Sequence, residues 1–458
     1  MTENAKPRIE KIQVRGLFGL FNHDISILNR DRITILHGVN GCGKTTVLRM
    51  IDAICSSPID TSVFQSVVFE SFKVDLSDES QVVVSHKALD ESTQGALRFY
   101  YRPKVGEVID TILVVVPGDV LNLIDRHVPR PYSRYRHGWH VRGEDRIFTL
   151  TEIVKMFPEV VSAVPKQYRD ATDKIPSLEI APVYFVETKR LEANRPASHR
   201  QWTPGIQGLS IVDDDDEPGF SSRVDQYSND IVTRIKSVIS DYAQYAQERD
   251  RTFPARLVEF IRQNGPMGNA KEILAELDKL EDARLRLISL GLVDAEVGLP
   301  KLEEADLNRA LAPLVIYVED VHKKLEIFSD FSNRLGMLID MLNSRFKYKK
   351  IMVNKSSGFI LKSPSGNLIP LSALSSGEQH ELVVYYDLIF RAPSNGLVLV
   401  DEPEISLHVG WQSRFLDDFK RILELTNCYG VIATHSPTII GSRWDLTVEL
   451  QVSDQVGV

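Results

Sequence analysis

Gly38-Val39-Asn40-Gly41-Cys42-Gly43-Lys44-Thr45, followed by Thr46, is a complete GxxxxGK[ST] loop. It lies between an apolar strand-like stretch, Ile33-Thr34-Ile35-Leu36, and a segment from Thr45 to about Ile54 with Val47, Leu48 and Ile51 on one helical face. That context is what the loop requires. Glycines at 38, 41 and 43 let backbone N–H groups wrap a phosphate chain, and the following helix points its positive end at it. Asn40, Gly41, Cys42, Gly43, Lys44, Thr45 and Thr46 are therefore expected to cradle the phosphates of ATP. Lys44 would reach the β- and γ-phosphates, and the Thr45 hydroxyl would ligate Mg2+.

Three further elements stand far downstream: Leu374-Ser375-Ser376-Gly377-Glu378-Gln379, then Leu397-Val398-Leu399-Val400-Asp401-Glu402-Pro403, then Ala433-Thr434-His435-Ser436. An acid at the carboxyl end of an apolar strand lies at the crevice where open α/β sheets bind ligands. Asp401 is expected to hold Mg2+, and Glu402 to polarise the attacking water as general base. A solvated acidic pair is the bland alternative. His435 ends another apolar strand, Tyr429 to Ala433, and can reach a γ-phosphate as a donor if the other elements are real.

These four elements, in this order, resemble the ABC-type ATPase superfamily, in its soluble branch with the SMC, RecF and overcoming-lysogenisation-defect (OLD) proteins. The resemblance covers roughly residues 8 to 55, 180 to 191 and 349 to 450. It implies an α/β fold: an ABC-type ATPase head with a mixed central sheet carrying the P-loop, an added antiparallel β layer, and a helical insertion. It also implies ATP and Mg2+ as cofactors, and a homodimer or higher homo-oligomer assembled through composite ATP sites. In that arrangement Ser375, Ser376, Gly377 and Glu378 meet the γ-phosphate held by the partner subunit, and Glu404 to His408 crosses the interface. The signature departs from the commonest LSGGQ form at Ser376 and Glu378. The turn after Val186 carries Glu187 and no glutamine, which leaves the Q-loop position open.

The order of elements suggests five segments. Residues 1–116 form the N-terminal half of the head with its antiparallel layer, 117–180 an irregular basic and aromatic insertion, and 181–223 a head strand followed by a flexible acidic loop. Residues 224–346 form a helical insertion, and 347–458 the C-terminal half of the head. Strands are expected at 67–76, 81–85, 97–101 and 111–116. Pro254, Pro266, Pro300 and Pro313 are expected to cut the helical region into a compact bundle or short folded arm.

Residues 126–146 hold six arginines, three histidines, Tyr132, Tyr135 and Trp139. Such interleaving suits nucleic acid, a protein partner or a solvated loop. Zinc is disfavoured, for no cysteines stand at matching spacing. The acidic run Asp213 to Glu217 reads as a solvated linker.

The 458 residues carry a net charge of −9, which argues against a uniformly basic nucleic-acid binder. Three cysteines form no CxxC pair, apolar runs are too short for a bilayer, and no leader is visible, so a cytoplasmic protein without membrane partners is expected. No zinc hook, rod-length helix or nuclease motif is legible. The architecture looks most like the ATPases of PARIS-type anti-phage systems. That likeness implies a sensor or scaffold controlling a separately encoded effector such as a TOPRIM-type nuclease, with a phage protein as a candidate trigger. The rival reading is a DNA-repair or recombination ATPase clamping duplex DNA in the RecF or SMC manner.

Overall fold

The computed structural model describes residues 6–27, 30–56, 59–86, 97–113, 118–129, 132–135, 138–141, 147–148, 152–153, 156–157, 178–187, 223–263, 269–294, 310–405 and 409–450. The chain divides into two compact units, one of residues 1–195 with 391–458 and one of residues 196–390. The fold is α/β, with one parallel sheet and separate antiparallel sheets.

In the first unit β3 (Ile33–His37), β11 (Val183–Glu187), β15 (Leu397–Asp401), β16 (Tyr429–Ala433) and β17 (Thr447–Glu449) make a five-stranded sheet in the order β11-β15-β16-β3-β17. All of its pairings are parallel, so the mixture anticipated within one sheet is instead a division between sheets. All five residues of β15 are buried, as a continuous apolar strand covered on both faces must be. The register sets Asp401 opposite Ala433, and Ala433 opposite Leu36. The carboxyl ends of β15, β16 and β3 are therefore flush. Glu187, at the end of β11, pairs with Asp401.

Helix α1 (Lys44–Cys55) follows the glycine loop and buries Val47, Leu48 and Ile51, the face its spacing predicts. Gly43 takes a left-handed φ of 95°, and a Cβ there would come within 2.4 Å of Leu17 Cδ2. Only glycine fits this position.

The antiparallel layer has six strands, β1 (Ile9–Leu17), β2 (Phe21–Ser26), β4 (Ser71–Leu76), β5 (Gln81–His86), β6 (Leu97–Arg102) and β7 (Ile109–Leu113), in the order β2-β1-β4-β5-β6-β7. Ile12, Val14, Phe72 and Val74 from this layer share one core with Val47 and Ile51 of α1 and Leu399 of β15. The strand expected from residue 67 begins only at Ser71. It is preceded by a short helix α2 (Thr61–Ser66), capped by Asp60, whose carboxylate accepts from the Ser62 N–H at 3.0 Å.

The insertion expected to be irregular holds helix α3 (Gly118–His127) and a three-stranded antiparallel sheet of β8 (Tyr132–Tyr135), β9 (Gly138–Val141) and β10 (Ile147–Phe148). Its strands are too short to show a period in the sequence. The first unit is completed by α9 (Val409–Thr426) and α10 (Pro437–Ile440), which come before and after β16 along the chain.

The second unit contains α4 (Arg223–Arg262), α5 (Ala270–Ser289), α6 (Leu311–Glu326), α7 (Ser329–Asn343), an antiparallel sheet of β12 (Lys350–Asn354), β13 (Gly358–Lys362) and β14 (Leu368–Ile369), and α8 (Ser376–Tyr386). The expected break at Pro254 does not occur, for α4 runs through it for 40 residues. At about 1.5 Å per residue that is roughly 60 Å. Proline leaves the carbonyl of residue 250 without its helical donor, and side chains add bonds to the carbonyls just before it: Thr252 Oγ1 donates to Glu248 O at 3.0 Å and Arg256 Nη2 to Arg249 O at 3.0 Å. Arg256 also grips the buried Asp320 of α6 through both carboxylate oxygens, at 2.7 and 2.5 Å, so packing against α6 holds the helix across the proline.

The signature stretch lies in this second unit, so residues 347–458 contribute to both units. The acidic run 213–217 and residues 406–408 lie outside the described residues. Among the described residues no helix is long and apolar enough to cross a membrane.

Candidate functional site

The flush carboxyl ends of β3, β15 and β16 bring together residues from both ends of the chain. Thr45, at the start of α1, donates its hydroxyl to Asp401 at 2.9 Å from Oδ1 and 3.0 Å from Oδ2. Lys44 folds back over the loop, donating to Gly38 O at 2.9 Å and Val39 O at 3.3 Å. Its ammonium is thus held by carbonyls of the loop that a phosphate chain would occupy. Gly41, at φ 86°, faces open space.

His23 was not anticipated. It is buried on β2, and its Nε2 lies 2.9 Å from the Cys42 carbonyl, bracing the glycine loop from behind. Burial pushes its pKa below the ordinary histidine value. The available signal was alternation: Phe21, His23 and Ile25 occupy the buried positions of one strand.

Glu402 follows β15 in a left-handed conformation, φ 48°, that any residue with a Cβ disfavours. The bond from its N–H to Ala433 O, 2.8 Å, holds it there. Strain of this kind costs about 1–3 kcal/mol and clusters at functional sites. Here it turns the carboxylate to the end of β16, where Oε2 lies 2.6 Å from His435 Nδ1. Burial, reinforced by the Glu404 carboxyl beside it, pushes the Glu402 pKa up to about 7, against the opposing pull of His435. A carboxyl near 7 can take up and release a proton at neutral pH.

Glu404, which the resemblance puts in an interface loop, turns its side chain inward within this chain, accepting from Thr434 Oγ1 at 2.6 Å and from the His435 N–H at 3.1 Å. Glu402, Glu404 and His435 are the one group of carboxylate and imidazole donors among the described residues close enough to share a cation, their ligand atoms lying within 4.8 Å.

In the second unit Ser375 caps α8. Its N–H donates to Glu378 Oε2 at 2.7 Å, and the Glu378 N–H returns to Ser375 Oγ at 3.4 Å, a reciprocal capping box. Lys349 Nζ joins Glu378 at 2.9 Å. Burial works upward on Glu378, but Lys349 and the Ser375 N–H outweigh it and hold the carboxyl below its ordinary value. Ser375 and Glu378 thus have a local role in shaping the helix start. Ser376 is exposed and Gly377 partly so, at the positive end of α8.

The aromatic residues of 126–146 that are described turn inward. Trp139 is buried and donates to Asp125 at 2.9 Å, and the Tyr132 ring packs 5.5 Å from Phe148 and 5.1 Å from Phe157. They build a small local core. Arg130, Arg136, His137, Arg142 and Arg146 lie outside the described residues.

A glycine loop on a parallel sheet, with an acid at the end of a buried strand two places along the same sheet, defines a P-loop nucleotide-binding protein. A family model described as "AAA domain, putative AbiEii toxin, Type IV TA system" matches residues 195–441, more than half of the chain, and the chain belongs to that family. The match covers the signature, the Asp401 strand and His435, and begins beyond the glycine loop. A 94-residue stretch is 30% identical to protein ea59 of Escherichia phage lambda; it covers 20% of this chain and only 16% of that protein. Among solved structures, an SMC head domain with an extended coiled coil, bound to the C-terminal domain of ScpA and derived from Pyrococcus furiosus, aligns over 98% of this chain and 94% of its own at 13% identity and a TM-score of 0.32. The SMC head domain from Thermotoga maritima aligns over 97% and 95% at 12% identity and 0.31. At those scores neither likeness bears on the conclusions below.

The raised Glu402 pKa has a consequence for stability. Because its carboxyl binds a proton more tightly in the folded state, the stability it contributes is present below about pH 4.5, the ordinary value, and is lost as pH rises through about 7. Glu402→Gln, which stays neutral, is expected to raise the melting temperature of the nucleotide-free protein at about pH 8 and to raise it less at about pH 5. Thermal melts at both pH values check this. An equal change at the two would contradict it.

Proposed function

We propose that this chain binds and hydrolyses ATP as a sensor or scaffold subunit that dimerises head to head around the nucleotide. We further propose that it controls a separate effector protein, a nuclease, in bacterial anti-phage defence. The observation that carries the ATPase reading is the meeting of Thr45, Asp401, Glu402 and His435 at one edge of the parallel sheet.

Thr45 and Asp401 would hold Mg2+. Both offer hard oxygens, and their 2.9 Å separation suits adjacent ligands of an octahedral ion with bonds of about 2.1 Å. When bound, the ion offsets negative charge on the β- and γ-phosphates. The triad of Glu402, Glu404 and His435 suits a cation less well, because an ion there would occupy the carboxylate that must accept a proton.

Asn40 to Thr46 wrap the phosphates, and Lys44 leaves its loop carbonyls for the β- and γ-oxygens. Glu402 takes the proton of the attacking water, and His435, fixed through Nδ1, turns Nε2 outward toward the γ-phosphate. Ser375, Ser376, Gly377 and Glu378 act on the nucleotide held by the other subunit, where the exposed start of α8 supplies positive potential.

Support for the defence role comes from the family, whose description names a toxin of a TA system, and from the similarity to a phage-encoded protein. No specific observation favours the rival DNA-clamping reading, since the described aromatics of 126–146 pack inward.

Glu402→Gln should leave ATP bound and slow hydrolysis by about two to four orders of magnitude, while Lys44→Ala should abolish productive binding. Undiminished phosphate release by Glu402→Gln would contradict the general-base role. For the effector, the chain expressed from its native locus should co-purify with the product of a neighbouring gene. A chain that purifies alone and protects no host from phage would contradict that part.

A further inference from the structure

We infer that Glu404 is a positioning residue of the hydrolytic centre, its carboxylate fixing the turn after β16 so that the His435 ring is held on Glu402. The kinetic consequence rests on the ATPase reading, whereas the contact itself does not.

Two donors converge on one oxygen of Glu404. Thr434 Oγ1 lies 2.6 Å away and the His435 N–H 3.1 Å, and the His435 ring brings its Nδ1 to 3.3 Å from the same oxygen. The Glu404 side chain is only 8% exposed, so these bonds form with little competition from water. Thr434 is fully buried, and its hydroxyl also accepts from the Ser436 N–H at 2.9 Å, which locks residues 434 to 436 as one turn. The other end of Glu404 is tied as well. Its carbonyl accepts from Gln412 Nε2 of α9 at 3.1 Å.

The need for such an anchor follows from exposure. The His435 side chain is half exposed, and a half-exposed imidazole settles into one orientation only where something holds it. Glu404 sets the backbone from which the ring projects and offers its Nδ1 a second carboxylate oxygen. A shared cation explains the cluster less well, since the Glu404 oxygen nearest the ring already accepts from two protein donors.

The test compares Glu404→Ala, Glu404→Gln and Thr434→Val with the unaltered protein. Glutamine keeps an oxygen that accepts the same bonds, and valine removes the donor on the facing side. Turnover should fall about a hundredfold in Glu404→Ala and Thr434→Val at unchanged ATP affinity, as displacement of a reacting group by about 1 Å does, with Glu404→Gln restoring most of it. Independently of any turnover, 15N spectra of histidine-labelled protein, assigned with His435→Gln, should show the bonded Nδ1 of His435 in the unaltered protein and in Glu404→Gln. They should show its loss in Glu404→Ala and Thr434→Val. An unchanged His435 signal in both of these, or no rescue by glutamine, would overturn the inference. Absence of hydrolysis by the unaltered protein would count against the ATPase reading alone, and the nitrogen spectra would still decide the role of Glu404.

Discussion

The hydrogen bonds from Thr45 to Asp401 join residues 356 positions apart, and the rest of the site depends on what makes them possible. That is the parallel pairing of β15, β16 and β3 with flush carboxyl ends. A slip of one residue in any pairing would turn Asp401 or Thr434 to the opposite face of the sheet. The register is secured because β15 is apolar throughout and buried along its length, so the strand has one comfortable seat. Glycine at 43 then allows α1 to begin close against Leu17, which brings Thr45 to the sheet edge.

Chemistry at that edge is set by opposing demands on one carboxyl. Burial and a second glutamate favour the protonated form of Glu402, while His435 favours the ionised form. The balance leaves it near neutrality, at a cost in folding stability and on a strained backbone. Glu404 participates twice: it raises the affinity of Glu402 for its proton, and it braces the turn that carries His435. A residue that would pass for solvated acid in the sequence is thereby part of the same centre.

Much of this was legible in the sequence, because the elements concerned are governed by local rules. The glycine loop, α1, β15 and β16 each announce themselves by composition and period within a short window, and Asp401, Glu402 and His435 follow from their places at strand ends. What escaped depends on tertiary context. His23 reads as one polar residue in an alternating strand, and only the fold brings it under Cys42. Pro254 reads as a helix stop, and only the grip of Arg256 on Asp320 shows why α4 continues. The sheet of 132–148 is built from strands of two to four residues, too short for any pattern. Ser375 and Glu378 were read for nucleotide contact, yet their spacing is equally that of a capping box, which is what they form within one chain.

The central claim is that Thr45 and Asp401 form the metal-holding half of a nucleotide site. The most direct measurement is the affinity for a non-hydrolysable ATP analogue with and without Mg2+, for the unaltered protein and for Asp401→Asn. Mg2+ should strengthen binding to the unaltered protein by about tenfold or more, and that dependence should vanish in Asp401→Asn while metal-free binding persists. The same Mg2+ dependence in both proteins would contradict the account.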